Sequence, residues 1–90
     1  MPNEIQNYAE LENMTDKKIQ VYITWNTPTA GTLNTEVMPG EVAEIVCGTN
    51  TGKFCHRSDG GGIGCPASHP FATIKSGDYF QLEENGQFSG

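Results

Sequence analysis

Residues 18–25 alternate without a break, with Ile19, Val21, Ile23 and Trp25 set against Lys18, Gln20, Tyr22 and Thr24. Period two with β-branched enrichment predicts a half-buried strand whose first set faces the core. Trp25 closes that apolar series, which assigns it to the core rather than to a binding surface. Pro28 and Gly31 punctuate a loop over 26–31. Residues 32–38 predict a second strand, with Leu33, Thr35 and Val37 on one face. Pro39 and Gly40 suit the central positions of a type II turn, where Pro sets φ and Gly supplies φ > 0. Residues 41–47 return as a third strand. Val42, Ile45 and Val46 fall on both faces, which predicts a strand more buried than its neighbours. Cys47 shares the parity of Ala43 and Ile45 and points inward.

Towards the C-terminus, 71–75 reads as strand and Ser76-Gly77 as a two-residue hairpin loop. That register sets Lys75 against Asp78, and Phe71 against Leu82, with Phe71, Phe80 and Leu82 on one face. Asn85-Gly86 is a second hairpin signal that brings Phe88 beside Glu83, with 87–90 as a short edge strand or frayed tail. At the other end, residues 1–16 carry Glu4, Glu10, Glu12 and Asp16 and no base. Ile5, Tyr8, Ala9 and Leu11 permit about two helical turns, so the stretch reads as a mobile arm or a short docking helix. Asn13-Met14-Thr15 is a formal N-glycosylation acceptor. The expectation is an acidic N-terminal arm over 1–16 and a single all-β domain over 17–90. That domain is a small antiparallel β-sandwich or barrel of five or six short strands.

Composition narrows the function classes. A chain of 90 residues makes one domain and leans on a staple such as a disulfide, a metal or oligomerisation. Eleven acidic residues against five basic give a net charge of −6, and Lys17-Lys18 is the only adjacent basic pair. Phosphate contacts need concentrated positive charge, so nucleic acid is excluded as a partner and anionic membranes are disfavoured. No basic n-region with an apolar h-region follows Met1, and no apolar run spans a bilayer. The expectation is a cytoplasmic protein or the mature form of an exported one, with the compartment left open. Exposed sheet edges are compatible with a homo-oligomer.

The chemistry is concentrated in residues 47–69, which hold all three cysteines, both histidines and six of the eleven glycines. A Cys55–Cys65 disulfide would staple this Gly-rich loop, leaving Cys47 as a buried thiol. Cys47 with Cys55 is an equally legal pairing. Soft thiolates and imidazole also suit Zn²⁺, with Cys47, Cys55, Cys65 and His69 as the alternative ligand set, although no CxxC knuckle is present. A catalytic arrangement would take Cys55 as nucleophile with His56, His69 and Asp59 in support. Sequence proximity alone does not show the required hydrogen bonds. The run Ser58-Asp59-Gly60-Gly61-Gly62 lacks the Lys-Ser/Thr of a phosphate loop and reads as a binding loop flanked by Lys53 and Arg57.

Cys65-Pro66-Ala67-Ser68-His69-Pro70-Phe71 resembles the copper-ligand loop of cupredoxins, where Cys, His and Met follow closely. No Met follows His69 and no His precedes Cys47, so copper is not carried over. Residues 11–54 resemble the aegerolysin and actinoporin type of lipid-binding β-sandwich. The match lies in Asn13-Met14-Thr15-Asp16, the strand ending at Trp25, Pro39-Gly40 and Ile45-Val46-Cys47-Gly48. That resemblance implies an all-β fold, with lipid binding as an outside alternative. The reading is a binding or interaction module, leaning away from an enzyme and expecting no cofactor. It presents the loop through Lys53, Arg57, Asp59, Gly60, Gly61 and Gly62, with a zinc protein as the alternative.

Overall fold

A computed structural model describes residues 7–26, 31–58, 64–85 and 87–89 of the chain. Among these residues the fold is all-β, with no helix. Eight strands run in order: β1 (Tyr8–Asn13), β2 (Ile19–Trp25), β3 (Thr32–Val37), β4 (Val42–Val46), β5 (Thr51–Arg57), β6 (Ala72–Lys75), β7 (Tyr79–Leu82) and the two-residue β8 (Phe88–Ser89). They form two four-stranded sheets, ordered β4-β1-β7-β8 (sheet A) and β3-β2-β5-β6 (sheet B). All pairings are antiparallel except β1 with β7, which is parallel. Among the described residues no helix is long and apolar enough to cross a membrane.

The core lies between the sheets. Sheet A contributes Ala9, Leu11, Ile45 and Leu82, with Cys47 just past the end of β4. Sheet B contributes Ile19, Val21, Ile23, Val37, Phe54 and Ile74. The β2 alternation works as its sequence predicts. Trp25 packs on the core margin opposite Gly52. A Cβ at Gly52 would stand 2.9 Å from the Trp25 ring and 2.8 Å from the Thr24 carbonyl oxygen, so the indole occupies the space that any side chain there would need. The Pro39-Gly40 turn also holds: Glu41 N–H donates to the Met38 carbonyl at 2.9 Å, and Gly40 has φ +76°.

Two strands appear where other structure is expected. Tyr8–Asn13 is neither an arm nor a helix; it is an interior strand of sheet A, paired on both sides. Its inward set is Ala9, Leu11 and Asn13, and its outward set Tyr8, Glu10 and Glu12. The buried Asn13 replaces an apolar residue and hides the period. Thr51–Arg57 is likewise an interior strand, of sheet B, and not part of a loop. Gly52, Phe54 and His56 alternate inward against Lys53, Cys55 and Arg57.

The expected hairpin at Ser76-Gly77 is replaced by a crossing between sheets. The turn itself is tight: Asp78 N–H donates to the Lys75 carbonyl, and the Lys75 Nζ meets Asp78 Oδ1 at 3.0 Å. β1 then captures the departing chain. Gly77 N–H donates to the Tyr8 carbonyl, and Glu10 N–H donates to the Asp78 carbonyl. β6 therefore stays beside β5 while β7 joins β1 in the other sheet. Phe80 tilts against Phe54 across the core, with ring centroids 4.9 Å apart, whereas Phe71 is exposed. β7 and β8 do pair, but Phe88 stands opposite Leu82 and not Glu83. β4 is an edge strand, so the expectation of deep burial fails for Val42 and Val46, which are exposed. Ile45 and Cys47 point inward as expected.

Candidate functional site

The second half of the 47–69 stretch is a connection from β5 to β6, and its ends are tied repeatedly. Cys55 and Cys65 form a disulfide, with Cα atoms 6.2 Å apart. Arg57 Nη1 donates to the Gly64 carbonyl at 2.8 Å, and Ser58 Oγ donates to the Glu84 carbonyl at 3.1 Å. His69 Nδ1 lies 2.9 Å from the His56 carbonyl oxygen. A carbonyl can only accept, so His69 donates there through Nδ1–H. His69 N–H also closes a turn onto the Pro66 carbonyl.

β5 explains why these ties converge. Alternation sends Phe54 and His56 into the core and leaves Lys53, Cys55 and Arg57 on the outer face of sheet B. Cys55 stands beside Tyr22 on that face, and both are buried there. The cross-link brings the returning chain at Cys65 back over the sheet that it left.

His56 is fully buried, with Nε2 3.0 Å from the Glu83 carbonyl oxygen. Nε2 is therefore the protonated ring nitrogen at this contact. Burial pushes its pKa below the usual imidazole value, opposed in part by the bond to Glu83. Cys47 is buried in the core, with Sγ 3.3 Å from the Ile45 carbonyl oxygen. Burial pushes its thiol pKa up, away from the reactive thiolate.

The structure thus separates several residues that the sequence clusters. Cys47 packs between the sheets, while Cys55 and Cys65 are spent on their own bond. The zinc set of Cys47, Cys55, Cys65 and His69 is not drawn together in this state. Among the described residues no group of three or more His, Cys, Asp or Glu side chains could hold a metal ion. Cys55 and His56 point to opposite faces of one strand, so adjacency in sequence does not make them a nucleophile and its base. Lys53 is exposed on sheet B between Thr24 and Thr73. Arg57 is a tie of the connection, committed to Gly64. Asp59, Gly60, Gly61 and Gly62 lie outside the described residues.

A shallow, open hollow of about 520 Å³ lies beside Met14, Thr15, Gln81, Glu83, Glu84 and Asn85. Glu84 there pairs with Lys17 at 3.3 Å on the surface. The sequence gives no warning of this hollow, because it forms only where β7 comes alongside β1.

A second feature that sequence reading misses is the outer face of sheet A. Its rows are Glu12 beside Val42 and Gln81, then Glu10 beside Glu44 and Tyr79, then Tyr8 beside Val46. None of the four strands contains Lys or Arg. The Tyr79 hydroxyl donates to Glu12, and that bond raises the pKa of the phenol. The period-two pattern of 8–13 is the signal that could have found this face. No protein-family model, curated protein or solved structure matches the chain.

Proposed function

We propose that this chain is a non-enzymatic interaction module that presents the β5–β6 connection to a partner. The reading is carried by the four ties at the base of that connection: Cys55–Cys65, Arg57 to Gly64, Ser58 to Glu84, and His69 to His56. They bracket residues 59–63, whose sequence, Asp59-Gly60-Gly61-Gly62-Ile63, offers little that could build a core. A staple at the base of a glycine-rich tip lowers the ordering cost of binding, which is how rigid scaffolds commonly present recognition loops. Glycine also lets a partner approach the backbone closely. Among the described residues, Cys55, His56 and His69 are engaged structurally, through the disulfide, burial and the His69 backbone bond.

The test is site-specific photo-crosslinking in the producing cell, with the crosslinker placed at position 61 and, as a control, at the exposed Thr73. The proposal predicts a discrete adduct from position 61 that is lost when Cys55 and Cys65 are both replaced by Ser. Equal, diffuse labelling from both positions would remove the loop from the binding surface.

A further inference from the structure

β4 is an edge strand of sheet A, with no described strand on its outer side. The ladder between β1 and β4 begins and ends on odd-numbered residues. Cys47 N–H donates to the Asn7 carbonyl and Asn13 N–H donates to the Glu41 carbonyl, both at 2.9 Å. In an antiparallel pair, hydrogen-bonded and non-hydrogen-bonded positions alternate. Residues 41, 43, 45 and 47 therefore turn their backbone groups toward β1. Val42, Glu44 and Val46 turn theirs toward the free side, where no described strand pairs.

Among the described residues this edge lacks the usual protections. Edge strands are commonly guarded by Lys, Pro, a bulge or a covering segment. β4 is Val42-Ala43-Glu44-Ile45-Val46, with Val42 43% and Val46 69% exposed on the outer face. Glu44 is its single charge, and it faces Glu10 in a non-hydrogen-bonded pair, the closer of the two antiparallel spacings.

We propose that β4 receives an extended basic segment of another protein as an added strand of sheet A. Its backbone pairs with Val42, Glu44 and Val46, a Lys or Arg stands opposite Glu44, and apolar side chains stand opposite Val42 and Val46. Charge decides against a second copy of this chain. Pairing two β4 strands so that Val42 meets Val46 sets Glu44 against Glu44, on faces already holding Glu10 and Glu12, between chains of net charge −6. A cation opposite Glu44 relieves the Glu10–Glu44 repulsion, and main-chain bonds supply the docking geometry.

The probe is the acetylated, amidated heptapeptide Thr-Val-Thr-Lys-Thr-Val-Thr, whose alternate positions set Lys opposite Glu44 and Val opposite Val42 and Val46, titrated into ¹⁵N-labelled full-length protein. Resonance changes should be confined to β4, its flanking residues and the facing part of β1. The same peptide N-methylated on alternate amides should not bind. Glu44→Lys should weaken binding by about tenfold or more, as an attractive cross-strand pair becomes repulsive. Val46→Pro removes an outward N–H only and should weaken it too, since Pro is tolerated where the N–H side of an edge strand faces solvent. Thermal midpoints of both variants establish that they fold, and Glu44→Lys carries the test if Val46→Pro does not. Equal binding of the N-methylated peptide would reduce the interaction to charge adhesion and overturn strand addition. Changes at β3, β6 or β8, or a concentration-dependent dimer that excludes the peptide from β4, would overturn it equally.

Discussion

Glu10 and Glu44 stand directly opposite each other, midway along the β1–β4 ladder of a sheet whose strands hold no Lys or Arg. Like charges in such a pair repel, and screening by solvent moderates the effect. Glu44→Gln should therefore stabilise the fold by about 0.5 kcal/mol at low salt. Urea midpoints of the two proteins measure this, with the denaturant slope unchanged. The gain should shrink as salt is added. A loss of stability would show that Glu44 has a favourable role in the free protein.

Asn13 is fully buried, and every polar function of its side chain is used. Nδ2 donates to the Lys17 carbonyl at 2.7 Å and to the Val37 carbonyl at 2.8 Å. Oδ1 accepts from Thr15 N–H and from Thr15 Oγ. The residue thus fastens β1 to the start of β2 and the end of β3. Asn13→Ala leaves these partners unsatisfied and should cost about 2–4 kcal/mol, read as a lower denaturation midpoint. The Asn13-Met14-Thr15 acceptor is unusable in the folded chain, because both amide hydrogens are committed. Folded protein incubated with an oligosaccharyltransferase should stay unmodified.

His56 gives the fold a pH dependence. Its folded pKa lies below that of an exposed imidazole, chiefly because burial penalises the cation, with His69 adding to the effect and Glu83 opposing it. The unfolded chain therefore binds the proton more readily. This contribution to stability is complete above about pH 6.5, the ordinary imidazole value, and falls away as pH drops toward the depressed folded value. Urea midpoints between pH 7.5 and 5 should decline, and His56→Phe should flatten that decline. An identical slope in both proteins would assign the pH dependence to other groups.

The legibility of this chain follows from which side chains face inward. β2 is plain in the sequence because all its inward positions are apolar: Ile19, Val21, Ile23 and Trp25. β1 and β5 follow the same period, but their inward sets include Asn13, Gly52 and His56, residues that do not signal a core. Each is inside for a particular reason: a complete set of hydrogen bonds, space for the Trp25 ring, and a bond to Glu83. The Ser76-Gly77 turn is local and readable. The path after it is not, because β1 takes up the chain from far away in sequence. β4 has the composition of a buried strand and lies at an edge, since strand order is absent from local pattern. At the candidate site, the cysteine pairing is among the options that spacing allows. The ties from Arg57, Ser58 and His69 depend on backbone carbonyls, which no residue pattern announces.

The Cys55–Cys65 staple holds the connection on which the functional proposal rests, so losing it has two effects. It should lower stability by about 2–3 kcal/mol, the chain-entropy value for a loop of this length. It should also release the base of the connection. Replacing both cysteines by Ser and comparing urea midpoints gives the first quantity.

The measurement to make first is the intact mass of natively purified protein, alkylated without reductant before and after denaturation and then mapped by peptide. The fold described here predicts a mass two hydrogens light and almost no alkylation of the native protein, because the Cys47 thiol is buried and its pKa raised. After denaturation one thiol should react, at Cys47, with Cys55 and Cys65 recovered as one linked peptide. Three alkylated cysteines after denaturation, or a link that includes Cys47, would contradict the stapled connection and remove the basis of the proposed binding surface.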